Sequence, residues 1–310
     1  MPSADQERRI LIVVKTYPNP SKTYVETVCC AGVDVDACRW VRLYPIRFRQ
    51  LADKGFAKYQ IIRCRVRKAI QDPRPESYRI DEKSIAPERF VDTAGRWQKR
   101  FAIMPPASKS LDDIQAANRS KARVSLGMFR PKRIARLVIE PATPWTEAQR
   151  AALKQQRMGL DGPGLEHLRE LEQIPWKFSY EFECDDDRCR GHKLQILDWE
   201  IGEAFRQWSR KYPADWKERV RDRFEREFTT EKDLHLVVGT VSTHPRTFVI
   251  IGLIYPPRSQ MDGFYVQETL DLMGEQRSVA GSGVGLEAEQ ANTLSGDEGQ
   301  ESLELFPPES

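Results

Sequence analysis

Residues 59–67 read YQIIRCRVR, and this stretch decides how the first part of the chain folds. From Ile62 onward apolar and charged residues alternate, so that all three arginines fall on one face of an extended chain. Side chains of a β-strand point alternately to the two faces of its sheet, and this alternation therefore predicts a half-buried strand. The exposed face would carry Arg63, Arg65 and Arg67.

Three further strands are expected on the N-terminal side of this stretch. They are residues 10–14 (ILIVV), 25–30 (VETVCC) and 40–44 (WVRLY). Short β-rich runs separated by turn-forming residues predict a small twisted sheet or a partly open barrel. We assign this β-rich domain to residues 1–140, with another strand at 136–140 near its end.

The second half of the chain mixes strands with helices. The expected strands are 178–183, 194–197, 234–241 and 247–254, the last two forming an apolar hairpin. Asp198 and Asp215 precede stretches with helical periodicity, and aspartate is a favoured helix cap. Sequential strands outnumber strand–helix–strand units, which predicts an α+β fold class with an α+β domain at residues 145–275.

A group of possible metal ligands lies between two of these strands. Cys184 ends one expected strand, Cys189 precedes the next, and His192 follows three residues later. Zinc favours thiolate and imidazole ligands in tetrahedral sites, so we predict a Cys/His hairpin that holds Zn²⁺. A closed fourth position would make the site structural, an open one catalytic, and two ordinary cysteines flanking a polar turn are the alternative. The candidates for a fourth ligand are His167, His235, His244 and the nearby carboxylates.

Polar residues around the same hairpin could also catalyse phosphodiester hydrolysis. Glu181, Asp198 and Glu200 could hold Mg²⁺, and Lys193 could stabilise a developing negative charge. Strand-borne acids with a lysine resemble the sites of metal-dependent nucleases, although the order and spacing here differ from theirs. The alternative is structural, with Asp198 capping a helix and Glu200 in its first turn.

Basic residues are concentrated in one stretch without an intervening acid. Its seven cations are Arg119, Lys121, Arg123, Arg130, Lys132, Arg133 and Arg136. Gly127 and Pro131 indicate that part of the stretch is loop, which would leave side chains free to reach phosphates. Such a stretch predicts salt-dependent nucleic-acid binding, with a solvated basic face as the alternative.

The acidic C-terminal segment offsets much of the positive charge of the rest of the chain. The protein has 49 basic and 46 acidic residues, but seven of the acids and none of the basic residues lie in 278–310. Residues 1–277 therefore carry 49 basic and 39 acidic residues, a formal charge of +10. A basic body of this kind suits a nucleic-acid partner.

Residues 278–299 are rich in Gly, Ser, Ala and Glu and contain no aromatic residue. This composition predicts that residues 278–310 are a disordered tail. The tail contains QESLELF at 300–306, which resembles the peptide with which bacterial replication and repair proteins bind the DNA sliding clamp. The resemblance implies that Gln300 hydrogen-bonds in a polar pocket while Leu303, Leu305 and Phe306 fill an apolar cleft.

These features predict a DNA-associated protein that is recruited to the bacterial sliding clamp. One hypothesis is a metal-dependent, nuclease-like factor of repair, replication or defence, and the alternative is a non-catalytic DNA- or RNA-binding adaptor with a structural zinc site. No apolar run reaches the length needed to span a bilayer, and the N-terminus has no signal-peptide core. We therefore expect a cytoplasmic protein without a membrane partner.

Overall fold

The first sheet of the protein closes on itself. The computed structural model describes residues 5–21, 25–47, 56–93, 97–148, 150–151 and 172–261. The sheet contains β1 (Gln6–Lys15), β2 (Asn19–Ser21), β3 (Val25–Asp34), β4 (Arg39–Arg47), β5 (Gln60–Lys68), β6 (Ser77–Ile80) and β7 (Ala86–Phe90). The hydrogen-bonded order runs β1-β3-β4-β6-β5, and β5 pairs again with β1. The predicted β-rich N-terminal region is thus confirmed as a five-stranded barrel, with β2 and β7 added to it.

Strand β1 is buried on both faces, which explains its uninterrupted apolar sequence. Ile10 and Ile12 pack in one apolar cluster with residues of β3, β4 and β5. Leu11 and Val13 point the other way, into a cluster that includes Ile251 of the second sheet. By contrast, β5 is buried on one face, and Arg63, Arg65 and Arg67 are exposed as its alternation predicts.

The second sheet has six strands and follows the barrel in the chain. They are β8 (Leu126–Phe129), β9 (Pro131–Pro141), β10 (Trp176–Cys184), β11 (His192–Ile196), β12 (His235–Val241) and β13 (His244–Ile254). Their order is β8-β12-β13-β11-β10-β9, with β11 parallel to β13 and the other neighbours antiparallel. Close contact with the barrel requires Gly252 in β13, because a Cβ there would lie 2.5 Å from Cγ2 of Val14.

Helices accompany the second sheet and confirm the α+β fold class. They are α1 (Gln98–Phe101), α2 (Leu111–Arg119), α3 (Trp199–Lys211), α4 (Trp216–Arg221), α5 (Phe228–Thr230) and α6 (Arg258–Met261), with a π-helical turn at Asp222–Glu227 and a 3-10 turn at Glu82–Ser84. Asp198 caps α3 as predicted, since its side chain accepts a hydrogen bond from the Glu200 amide. Asp215 occupies the cap position of α4 but makes no such bond.

The chain passes from the first sheet to the second between Phe90 and Leu126, which is earlier than the expected domain limit at residue 140. Strand β9, which contains the strand expected at 136–140, pairs with β10 and not with the barrel. The described residues all belong to one compact unit. The limits 1–140 and 145–275 stay a prediction, and the tail at 278–310 lies outside the described residues.

Candidate metal centre and basic cleft

Four possible metal ligands converge where the β10–β11 hairpin meets helix α2. One ligand atom from each of Asp112, Cys184, Cys189 and His192 lies within 4.8 Å of all the others. Cys184 ends β10, Cys189 lies in the connecting turn, and His192 begins β11. The structure therefore brings together the three residues that the sequence predicted and adds Asp112 from the first turn of α2.

Local backbone geometry holds the ligand atoms in place. Gly191 has a φ of +84°, a left-handed conformation that glycine adopts without strain and that turns the chain between Cys189 and His192. The Ser110 hydroxyl accepts a hydrogen bond from the Asp113 amide, which fixes the start of α2 and thus the position of Asp112.

Backbone amides surround the two sulfur atoms. The Sγ of Cys189 accepts hydrogen bonds from the amides of Cys184 at 3.2 Å and Gly191 at 3.4 Å, and the Sγ of Cys184 accepts one from Leu111 at 3.4 Å. The Nε2 of His192 lies 3.0 Å from Oδ2 of Asp112. Amide donors of this kind stabilise negative charge on sulfur and orient the ligands of a metal.

The donor atoms of the group suit a metal cation. Burial raises the pKa of the Cys184 thiol to about 12, so its deprotonation at neutral pH needs a compensating positive charge. Two sulfurs, one imidazole and one carboxylate are suitable ligands for a tetrahedral metal ion. With four protein ligands the coordination would be closed, which is the arrangement of a structural site rather than a catalytic one.

The other candidates for the fourth ligand have different surroundings. The Nδ1 of His235 lies 3.0 Å from the carbonyl oxygen of Asp233, and the Nδ1 of His244 lies 2.9 Å from the Thr243 hydroxyl. His167 lies outside the described residues. Asp112 precedes Cys184 by 72 positions, and no local spacing links the two, so sequence reasoning missed it.

The predicted catalytic carboxylates Asp198 and Glu200 belong to a buried network between the two sheets. The Asp198 carboxylate accepts hydrogen bonds from the amides of Glu200 at 2.7 Å and Leu253 at 2.9 Å. Glu200 binds Lys58 Nζ at 2.8 Å and the Tyr255 hydroxyl at 2.7 Å. Burial raises the pKa of Asp198 to about 7, while the positive charge of Lys58 opposes the rise.

Glu181 and Lys193 lie on the exposed surface of the second sheet and have other partners. They face each other across β10 and β11, but Glu181 binds Arg136 at 2.7 Å and Lys193 binds Glu140 at 2.8 Å. In the part of the chain that the structure describes, the group around Asp112 is the single cluster of three or more candidate metal ligands. The four predicted catalytic residues thus fall into two separate pairs there, and their catalytic role stays a prediction.

The first part of the basic stretch lines a cleft of about 450 Å³. We call it the basic cleft; its exposed cations are Arg119, Lys121, Arg123 and Arg246. No acid occurs among the described residues of the lining, and none of the four cations makes an ion pair with any described residue. Buried Arg74 also lines the cleft, held by Asp72 at 2.5 Å and by the carbonyl oxygen of Thr240 at 2.6 Å.

The second part of the basic stretch is neutralised by acids. Part of the stretch is loop as predicted, but at residues 120–125. Gly127 lies in β8, where Ile114 leaves no room for a Cβ, and Pro131 is the first residue of β9, a position at which strands tolerate proline. The strand register sets Arg136 opposite Glu181 and Arg133 opposite Glu183, with ion pairs of 2.7 Å and 2.5 Å. The remaining pairs are Lys132 with Asp185 and Arg130 with Asp233.

Comparison with known proteins places the chain in a family. Residues 107–273, more than half of the chain, match the family described as Domain of unknown function (DUF8757), and the chain belongs to it. Residues 6–106 match a second description, Domain of unknown function (DUF8758), so the two matches meet between the barrel and the second sheet. No curated protein matches the chain. Within the described residues, the helices are too short and too polar to cross a membrane.

Proposed function

We propose that this chain is a non-catalytic nucleic-acid-binding adaptor that contacts phosphates through the basic cleft. The observation that carries the proposal is the group of four exposed cations in the cleft, which have no carboxylate partner among the described residues. Unpaired cations attract phosphates and release the counterions condensed on them, whereas paired cations would first have to leave their acids. The formal charge of +10 on residues 1–277 supports the same partner.

The metal that we propose for the group around Asp112 is Zn²⁺. Two thiolates and an imidazole are softer ligands than Mg²⁺ or Ca²⁺ accept, and four protein ligands suit the tetrahedral geometry of structural zinc. Elemental analysis of the purified protein should give about one zinc per chain. Cys189→Ser should lower both the zinc content and the thermal stability, and zinc content that this change leaves intact would contradict the assignment.

The C-terminal peptide supplies the proposed location of the adaptor. Residues 300–306, which lie outside the described residues, would bind a sliding clamp that already encircles DNA, so that weak binding by the basic cleft becomes an intramolecular event. Calorimetry with a peptide of residues 296–310 tests this step. We expect binding to a bacterial clamp that is lost when Gln300, Leu305 and Phe306 are changed to alanine. A peptide with no measurable affinity would remove the clamp from the proposal.

The central experiment is oligonucleotide binding as a function of salt. In fluorescence anisotropy with a labelled single strand, the affinity of the wild type should fall steeply as salt increases. Changing all four exposed cations of the basic cleft to glutamine should abolish most of the binding and reduce the salt slope by about 3 units, because each phosphate contact on a single strand contributes about 0.7. Equal affinity and slope in the variant would refute the proposal.

The nuclease hypothesis is tested with the same oligonucleotides. Cleavage that requires Mg²⁺ or Mn²⁺ and disappears in Glu200→Gln would favour an enzyme over an adaptor. We expect intact oligonucleotide with either ion, because the predicted catalytic carboxylates have other partners.

A further inference from the structure

Helix α2 connects the metal centre to the basic cleft. Asp112 occupies its first turn, and Arg119 is its last residue. A nine-residue helix is about 13 Å long at 1.5 Å per residue, so its two ends lie at two separate sites. A shift at one end would therefore be transmitted to the other, as long as the helix stays intact.

Apolar packing anchors the first half of the helix to the body of the protein. Its buried residues are Leu111 and Ile114. Ile114 packs on β8 at Gly127, where a Cβ would lie 2.8 Å from the Ile114 Cδ1 atom. A helix of nine residues is marginal in water without tertiary support, so a ligand bond at Asp112 would add to the packing of Leu111 and Ile114 in fixing its position.

The C-terminal end of the helix is hydrogen-bonded to the segments on both sides of the basic cleft. The side-chain amide of Asn118 donates to the carbonyl oxygens of Val124 at 2.8 Å and Pro245 at 3.3 Å. One of these contacts holds the segment that carries Lys121 and Arg123, and the other holds the segment that carries Arg246. The spacing of the four cations consequently depends on where α2 ends.

We propose that the metal centre positions the basic cleft, so that affinity for nucleic acid depends on metal occupancy. Asp112 is the positioning residue: it binds the metal and holds the helix, and it does not contact the nucleic acid. The inference rests on the proposed function of the cleft. Without metal, Asp112 keeps its 3.0 Å contact with His192 but has no link to the two cysteines, so the helix that carries Asn118 and Arg119 becomes less fixed.

The test uses three variants of the full chain. Asp112→Asn removes the ligand charge, and Asp112→His replaces one zinc ligand with another. Asp113→Asn is the matched control, since it removes the same charge from the next residue, which is exposed and outside the ligand group. Zinc content, circular dichroism, oligonucleotide affinity and hydrogen exchange at residues 119–123 are measured for each.

We expect Asp112→Asn to lose zinc, to bind the oligonucleotide about tenfold more weakly and to exchange faster at residues 119–123. Asp112→His should restore all three properties, and Asp113→Asn should match the wild type. If Asp112→Asn proves unfolded, zinc is titrated into Asp112→His, whose affinity should follow its metal occupancy. The inference is overturned if zinc is lost and affinity is unchanged, or if Asp113→Asn weakens binding equally. A wild type that binds no oligonucleotide would instead refute the proposed function.

Discussion

The two parts of the basic stretch have the same chemistry and different surroundings. Arg119, Lys121 and Arg123 lie at the end of helix α2 and just after it, and they line a cleft with no acid among its described residues. Arg130, Lys132 and Arg133 lie in β9 or next to it, and each forms an ion pair. Both groups contain two arginines and one lysine, so only their position in the fold distinguishes them.

This difference shows what a run of charge in a sequence does and does not determine. The run of cations is local, but the acids that neutralise its second part come from 45 to 103 residues away in the chain. Strand register decides the pairing, because β10 carries acids at 181 and 183, directly opposite the arginines of β9. Among the described residues no acid lines the cleft beside the turn after α2, so its cations have no such partners there.

The largest expected effect comes from comparing the two triple variants. Changing Arg119, Lys121 and Arg123 to glutamine should weaken oligonucleotide binding about a hundredfold and reduce the salt slope by about 2 units. The matched change at Arg130, Lys132 and Arg133 should weaken binding only a few-fold, because those cations already have partners. Fluorescence anisotropy over a range of salt concentrations measures both variants.

Equal losses in the two triple variants would contradict the comparison. They would mean that the whole stretch contacts nucleic acid, as its charge alone predicts, and that the ion pairs on β9 break on binding. A larger loss in the second variant would move the binding surface to the exposed face of the second sheet.

The sequence was most informative about features formed by elements that are adjacent in the chain. The grouping of Cys184, Cys189 and His192 was predictable, because two adjacent strands and one turn bring them together. The alternation in residues 59–67 likewise gave β5 and its exposed arginines. Each of these inferences needed only local periodicity and spacing.

Features that join distant segments were beyond the sequence. Asp112 reaches the hairpin only because α2 packs on β8, and closure of the barrel depends on β5 pairing with β1 across about 55 residues. Asp198 and Glu200 are a second example, because a partner that is distant in the chain changes how they are interpreted. Their spacing allowed a catalytic interpretation, but Lys58, just before β5, and Tyr255, just after β13, engage Glu200 in a buried network.

A smaller effect is expected from a single change within the basic cleft. Arg123 has a φ of +49°, a left-handed conformation that costs a residue with a Cβ roughly 1–2 kcal/mol. Arg123→Gly relieves this strain at the expense of about 0.5–1 kcal/mol of chain entropy, so the net stability should rise slightly. Affinity should nevertheless fall about fivefold, because one phosphate contact is lost.

Thermal denaturation and anisotropy together measure this trade-off. Arg123→Asn is the control, since asparagine tolerates the left-handed region better than arginine and also lacks the charge. If either variant gains stability without losing affinity, Arg123 does not contact nucleic acid, and the strained backbone has no functional role in the cleft.

The smallest effect should come from releasing the paired cations. Glu181→Gln with Glu183→Gln removes the charges that hold Arg136 and Arg133, and these arginines lower the pKa of the two glutamates through hydrogen bonds, so both acids are ionised at neutral pH. The freed arginines should raise oligonucleotide affinity about two- to threefold and increase the salt slope.

Glu7→Gln with Glu88→Gln is the matched control, because it removes two acids beside arginines of the barrel, Arg63 and Arg9. An equal rise in the control would show that net charge alone sets the affinity. A rise confined to the Glu181 and Glu183 variant would show that β9 lies close enough to bound nucleic acid to extend the basic cleft, and that its ion pairs are what exclude it in the wild type.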